Sequence, residues 1–176
     1  MARVLVAYAS RLGATREIAR RIGEVLRTAE HVVTVQSVDD PVDVAAFDAV
    51  VLGSGVFAGH WHRPALDFVH RHRRELAARP TWLFSSGPVG SIALDHAPKD
   101  PADVPELTQL VSPRGHRVFF GALDRSAVDD SDLSRFERII AKRFVPEGDW
   151  RDWAAIEAWA ADIAAQVPRM REAVRA

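Results

Sequence analysis

The stretch that most constrains this chain is residues 4–15, where a short apolar run meets a small polar loop and the loop meets an amphipathic helix. Residues 4–8, Val-Leu-Val-Ala-Tyr, are β-branched, bulky or aromatic and read as a buried strand. From Thr15 onward, Ile18, Ile22, Val25 and Leu26 recur at helical spacing, with Arg16, Glu17, Arg20 and Arg21 between them. The loop between the two, Ser10, Arg11, Leu12, Gly13, Ala14 and Thr15, therefore lies where a helix N-terminus directs its free N–H groups. Ser10 and Thr15 add hydroxyls, Arg11 adds a positive charge and Gly13 lets the backbone approach closely. This set of groups suits one phosphate. The plain alternative is a capped turn between strand and helix with no ligand. The loop lacks the Gly-Lys-Ser/Thr ending of a P-loop, and one glycine is too few for a dinucleotide fingerprint.

The rest of the chain alternates in the same way. Strands are expected over residues 32–38, 49–52, 81–84 and 117–123. Helices are expected over 63–77, on Ala65, Phe68, Val69, His72 and Leu76, and over 131–144, on Leu133, Phe136, Ile139, Ile140 and Phe144. A last helix is expected over 152–167, on Trp153, Ile156, Ala160, Ile163 and Val167. Residues 90–105 read as a loop and 106–111 as a short helix at best. Pro168 stops the last helix, and the Arg-rich tail is expected to fray. Strand–helix alternation implies an α/β fold with a parallel sheet, helices on both faces, in one domain over residues 1–176. In a doubly wound sheet of order 2-1-3-4-5, the ends of strands one, three and four meet in one crevice.

Two further loops then face that crevice. In residues 53–62, Gly53, Gly55 and Gly59 permit a tight path against a flat ring. Ser54, Val56 and Ala58 complete that path. Phe57 and Trp61 can pack on an aromatic face, and His60 and His62 can donate hydrogen bonds or carry charge. The alternative is a helix entry with Trp61 in the core. The third loop, Ser85, Ser86, Gly87, Pro88, Val89 and Gly90, offers N–H groups and hydroxyls suited to the polar edge of such a ring. Alone it also reads as a plain Pro-Gly turn.

Bulk properties narrow the field. A formal net charge of −1 gives no field that calls for nucleic acid or an anionic membrane. With no cysteine, disulfides, thiolate metal sites and Fe–S clusters are excluded. No apolar run approaches the roughly 20 residues that span a bilayer, and no signal peptide is read before the first strand, so a cytoplasmic protein is expected. His60 and His62, like His70 and His72, lie two apart, which is not the spacing of a helical zinc pair. Residues 86–90 do not form the Gly-x-Ser-x-Gly elbow of a hydrolase.

Residues 10–15 resemble the flavodoxin phosphate loop, Ser/Thr-x-x-Gly-x-Thr, which wraps the phosphate of FMN. Residues 53–62, followed by Pro64, Phe68 and Val69, look like those of the flavodoxin-like menaquinone-dependent protoporphyrinogen oxidases. The Gly-His-aromatic-His run, Arg11 before the glycine, Phe120-Gly-Ala-Leu123, Trp150 and Trp153 carry the likeness. The resemblance implies non-covalent FMN, held by Ser10 to Thr15, by Ser54 to Trp61 and by Ser86 to Gly90. It also implies two-electron redox chemistry. The freedom of glycine then sets the Ala58–Gly59 peptide at the reactive edge, and its place beside Gly59 makes His60 the candidate to stabilise charge on the reduced ring. The resemblance favours a quinone as acceptor and a porphyrinogen as substrate, with peripheral membrane contact. Apart from the resemblance, Arg63, Arg114, Arg117 and Arg125 are side chains that could meet propionates, as arginine suits carboxylates. Residues 124–149 are mixed in charge where that group is basic. A carrier that passes electrons to a partner protein, or a general quinone reductase, is the other reading.

Overall fold

A computed structural model describes residues 1–87, 99–129, 134–144 and 146–167. The strands are β1 (Arg3–Ala9), β2 (Val32–Ser37), β3 (Ala49–Phe57), β4 (His60–Trp61), β5 (Thr81–Ser86), β6 (Gly115–Phe119), β7 (Ala122–Leu123) and β8 (Gly148–Asp149). The helices are α1 (Ala14–Thr28), α2 (Arg63–Arg71), α3 (Arg73–Ala77), α4 (Val104–Val111), α5 (Arg125–Asp129), α6 (Arg135–Phe144) and α7 (Trp153–Gln166), with a 3-10 turn at Val44–Ala46.

The parallel strands run in the order β2-β1-β3-β5-β6, with β4 attached to β3 as an antiparallel hairpin arm. Setting that arm aside, this is the expected 2-1-3-4-5 winding. Alternation along each strand divides the core between the two faces. Val4, Val6, Val51, Trp82 and Phe84 meet Ile18, Ile22 and Leu26 of α1 and Ile156 and Ile163 of α7. Leu5, Val50, Leu52 and Leu83 meet Phe68, Val69, Leu76, Leu107 and Val111 of α2, α3 and α4. Full burial of each such side chain contributes about 1.5–3 kcal/mol.

Several elements differ from expectation. The third strand does not stop at residue 52 but runs to Phe57, because Gly53 and Gly55 serve close packing rather than a loop. A Cβ at Gly53 would overlap the Phe84 ring, which stands in register beside it. The helix over 63–77 breaks at His72 into α2 and α3. The fifth strand ends at Phe119, and Ala122–Leu123 pairs with Gly148–Asp149 in a small separate ribbon. Helix α4 opens at Val104, with Pro105 in its first turn, where a loop was expected up to residue 105. Ile139, expected on an apolar face, is 58% exposed. Leu133 and the tail from Pro168 lie outside the described residues.

Between Phe57 and His60 the chain reverses through Ala58 and Gly59, both with positive φ, at 50° and 82°. A turn of that hand suits the twist of a hairpin but is costly for alanine. Ala58→Asn should therefore raise stability by about 0.5–1 kcal/mol, since asparagine tolerates this region better. A urea midpoint equal to or below that of the parent would contradict this account of the turn.

Candidate functional site

Parallel winding places the carboxyl ends of β1, β3 and β5 side by side. Ala9 pairs with Ser54, and Gly55 pairs with Ser86. The first loop, the β3–β4 hairpin and Ser86–Gly87 thus border one crevice. Helix α1 opens there at Gly13, a left-handed N-cap residue that brings no side chain to the first turn. The Gly13 N–H donates to Ser10 Oγ (3.1 Å), which leaves the Ser10 O–H able to donate outward. Arg11 is exposed, and Thr15 is nearly buried at 3%. Thr15 Oγ1 faces Gly55: a Cβ there would stand 3.1 Å from that oxygen and 2.6 Å from His62 Nε2. Gly55 is therefore required by the meeting of α1, β3 and the His62 ring.

The remaining residues of the first loop anchor it. Leu12 packs on Leu123 and Val128, which ties the loop to the β7–β8 ribbon and α5. The Ala14 carbonyl accepts from Arg151 Nη1 at 3.5 Å. Arg151 is nearly buried, bonded to Asp149 (2.5 Å) and Glu17 (2.7 Å), with its guanidinium 4.5 Å from the Trp153 ring centre. Its hydrogen bond holds the Asp149 carboxyl below the usual carboxylate range. A cleft of about 260 Å³ lies here, lined by Leu12, Glu17, Asp124, Glu147, Asp149 and Arg151 among others.

On the hairpin side, Val56 and Phe57 are half-buried, while Ala58, Gly59 and His60 are exposed. Two expected ring contacts need correction. Trp61 is only 3% exposed, and its Nε1–H donates to Ser85 Oγ (2.8 Å), so its indole belongs to the core. Ser54 is fully buried, with its hydroxyl accepting from the His62 N–H (3.0 Å) and donating to the Gly55 carbonyl (2.8 Å). Both side chains are turned into the protein. Arg114 is also misplaced for a substrate. Its N–H donates to Thr81 O at the start of β5, at the opposite end of the sheet, and its guanidinium reaches Gln166 O. Ser86 is buried at the end of β5, and Gly87, with φ 132°, donates to Phe119 O. Pro88, Val89 and Gly90 lie outside the described residues.

Some participants had no local signal in the sequence. Asp103 begins α4 but does not cap it. Its carboxylate instead takes the Trp61 N–H (2.7 Å) and His60 Nδ1 (3.1 Å). The Gly59 carbonyl accepts from the Ala102 N–H at 2.9 Å. Asp100 meets His116 Nδ1 at 3.2 Å, and His116 Nε2 meets Ser85 Oγ at 2.9 Å. This Ser–His–Asp order resembles a hydrolytic triad, but Ser85 is fully buried and already bonded to Trp61, so it is no nucleophile. His62, which the sequence placed in the second loop beside His60, stands with its ring against Gly55 at the crevice.

Burial pushes the His116 imidazole below its ordinary 6.5, against an upward pull from Asp100, and burial does the same to His72. Both groups take up fewer protons folded than unfolded once the pH falls below 6.5. Their contribution to stability is intact above that value and is lost as the pH falls toward the depressed folded values. Urea midpoints at about pH 7.5 and 5.5 should differ less in His116→Gln than in the parent. An equal difference would remove His116 from the account.

The winding, the crevice at the strand ends and the open helix N-terminus define a flavodoxin-like α/β protein. Residues 5–145 match the Flavodoxin_5 family, described as a flavodoxin domain, and the chain belongs to that family. A curated relative, protoporphyrinogen IX dehydrogenase [quinone] of Escherichia coli (strain K12), is 29% identical over 86 residues. That match spans 47% of this chain and 47% of the relative, so it reaches about half of each. Among solved structures, a flavodoxin from the domain Archaea aligns with a TM-score of 0.60 at 18% identity, over 94% of this chain and 98% of that one. Rubredoxin oxygen:oxidoreductase from Desulfovibrio gigas aligns with a TM-score of 0.59 at 12% identity, over 94% of this chain and 36% of that one. Among the described residues, no helix is long and apolar enough to cross a membrane.

Proposed function

We propose that this chain is one FMN-dependent oxidoreductase domain that oxidises protoporphyrinogen IX and passes the electrons to a quinone. The observation that carries the flavin reading is the crevice itself. An α1 N-terminus whose cap residue, Gly13, supplies no side-chain hydrogen bond to the first turn faces a glycine-floored strand end, with a polar strand end beside it. Ser10, Arg11, Thr15 and the first-turn N–H groups would hold the phosphate. Phe57, the Ala58–Gly59 turn and His60 would border the ring, and Ser86, Gly87 and residues 88–90 its polar edge. When bound, FMN supplies two-electron redox chemistry, while the protein orients it and sets its electrostatics. The name of the E. coli relative supports the substrate and acceptor. A cytoplasmic location with peripheral membrane contact accords with this reading.

His60 is the group best placed to stabilise negative charge beside the ring. Its Asp103 partner fixes the imidazole and moderates that charge. The profile of the flavin midpoint potential between about pH 5.5 and 8 should differ between the parent and His60→Gln. Identical profiles in the two proteins would take His60 out of the role.

One observation favours the second reading, an electron carrier or general quinone reductase. Glu17, Asp124, Glu147 and Asp149 edge the cleft beside the first loop, against Arg151, which pairs with Glu17 and Asp149; among the described residues the rim is net acidic. These carboxylates repel a dianionic porphyrin and suit a basic partner protein. The deciding assay is anaerobic. FMN-loaded protein receives protoporphyrinogen and a menaquinone analogue, and porphyrin fluorescence is followed. A rate above the protein-free control supports the proposal. No increase, with quinone reduction intact from a chemical donor, selects the second reading.

A further inference from the structure

Four side chains from four parts of the fold form one hydrogen-bond chain: Asp100, His116 on β6, Ser85 on β5 and Trp61 on β4. The donors in this chain can be assigned. An indole N–H only donates, so Ser85 Oγ accepts from Trp61. The Ser85 hydrogen then needs an acceptor, and His116 Nε2 is the partner within reach at 2.9 Å. His116 must therefore be neutral with its proton on Nδ1, which it donates to the Asp100 carboxylate at 3.2 Å. The opposite tautomer would set a nitrogen lone pair against that carboxylate and strand the Ser85 hydrogen in a fully buried site.

The chain ends on the hairpin. Asp100 lies two residues before Ala102 and three before Asp103, which grip the Gly59 carbonyl, the Trp61 N–H and the His60 ring. One short segment therefore holds the hairpin from outside through its backbone and from inside through His116, Ser85 and the Trp61 indole.

We propose that Asp100, His116 and Ser85 are positioning residues for the β3–β4 hairpin. By fixing the His116 tautomer, Asp100 locks Trp61 on Ser85 and so sets where the Ala58–Gly59 turn stands over the crevice. The functional part of this proposal rests on the reading of that turn as the ring-side wall of an FMN site. Asp100 suits a test because its side chain is 67% exposed and its replacement opens no core cavity.

The experiment uses 15N-labelled full-length protein and three measurements: the His116 tautomer from its ring nitrogen shifts, the Trp61 indole resonance (assigned with Trp61→Phe), and FMN affinity by fluorescence titration. The parent should show the Nδ1–H tautomer. Asp100→Asn keeps an oxygen acceptor for that proton and should retain the tautomer, the indole resonance and an affinity within about twofold. Asp100→Ala should move His116 to the Nε2–H form, shift the indole resonance and weaken FMN about tenfold, with the urea midpoint little changed. An Nε2–H tautomer in the parent overturns the proposal. So does an Asp100→Ala protein with parental indole resonance and parental affinity. If the parent binds no FMN, the flavin reading fails alone, and the tautomer and indole shifts still decide the positioning chain.

Discussion

Gly53→Ala is expected to destabilise the protein by about 3 kcal/mol, the upper end for an overpacked core. The added methyl would fall on the ring of Phe84, directly opposite in the sheet register. That ring is fully buried and cannot swing aside. It packs against Phe119 at 6.3 Å and Trp159 at 6.2 Å between ring centres. Combining Gly53→Ala with Phe84→Leu should recover part of the loss, because the smaller side chain vacates the space the methyl needs. Urea unfolding of the two single variants and the double variant measures this. If Gly53→Ala alone unfolds at the parental midpoint, the close packing of β3 on β5 is misjudged.

Replacing Arg11 and Thr15 together by alanine should weaken FMN binding by roughly 3–6 kcal/mol, taking about 1.5–3 kcal/mol for each hydrogen bond to a charged group. Both residues stand at the open N-terminus of α1, where the helix already favours an anion. Thr15 is nearly buried, so the variant's own stability has to be measured beside its affinity. Thr15→Ser, which keeps the hydroxyl, should bind within about threefold of the parent. A double variant that is folded and titrates with parental affinity would show that no phosphate rests on this loop.

Much of the architecture was legible because parallel strands buried on both faces must be apolar throughout. The runs at residues 4–8, 49–52 and 81–84 have no other sensible use. Helices α1 and α7 announced themselves through the spacing of Ile18, Ile22, Ile156 and Ile163. What failed followed from reading glycine as punctuation. Gly53 and Gly55 looked like the end of a strand, yet both lie inside one, where a neighbouring ring leaves no room for a side chain. Trp61 was ambiguous for a different reason. An aromatic residue between two histidines suits a ligand platform or a core anchor equally well, and Ser85, 24 positions away, decides between them. Asp100, Asp103 and His116 carried no signal at all, since their partners are distant in sequence and isolated carboxylates are usually solvated. The ribbon of β7 and β8 pairs only two residues on each side, too few for any periodicity.

The grip of residues 100–103 on the hairpin has a consequence in time. The Asp103 carboxylate that holds His60 arrives 43 positions after it along the chain. Closing so long a loop costs entropy before the new contact repays any of it. The β1–β3 pairs, 45 positions apart at Val4 and Ala49, carry a similar closure cost but are repaid by a whole ladder and two buried faces. The exposed hairpin tip is repaid by few contacts and needs that core to hold its two ends near each other. The tip of the hairpin is thus among the last parts of the molecule to settle. A ligand that needs this wall meets a finished crevice only after the sheet has formed, and so it stabilises the completed fold without helping to nucleate it.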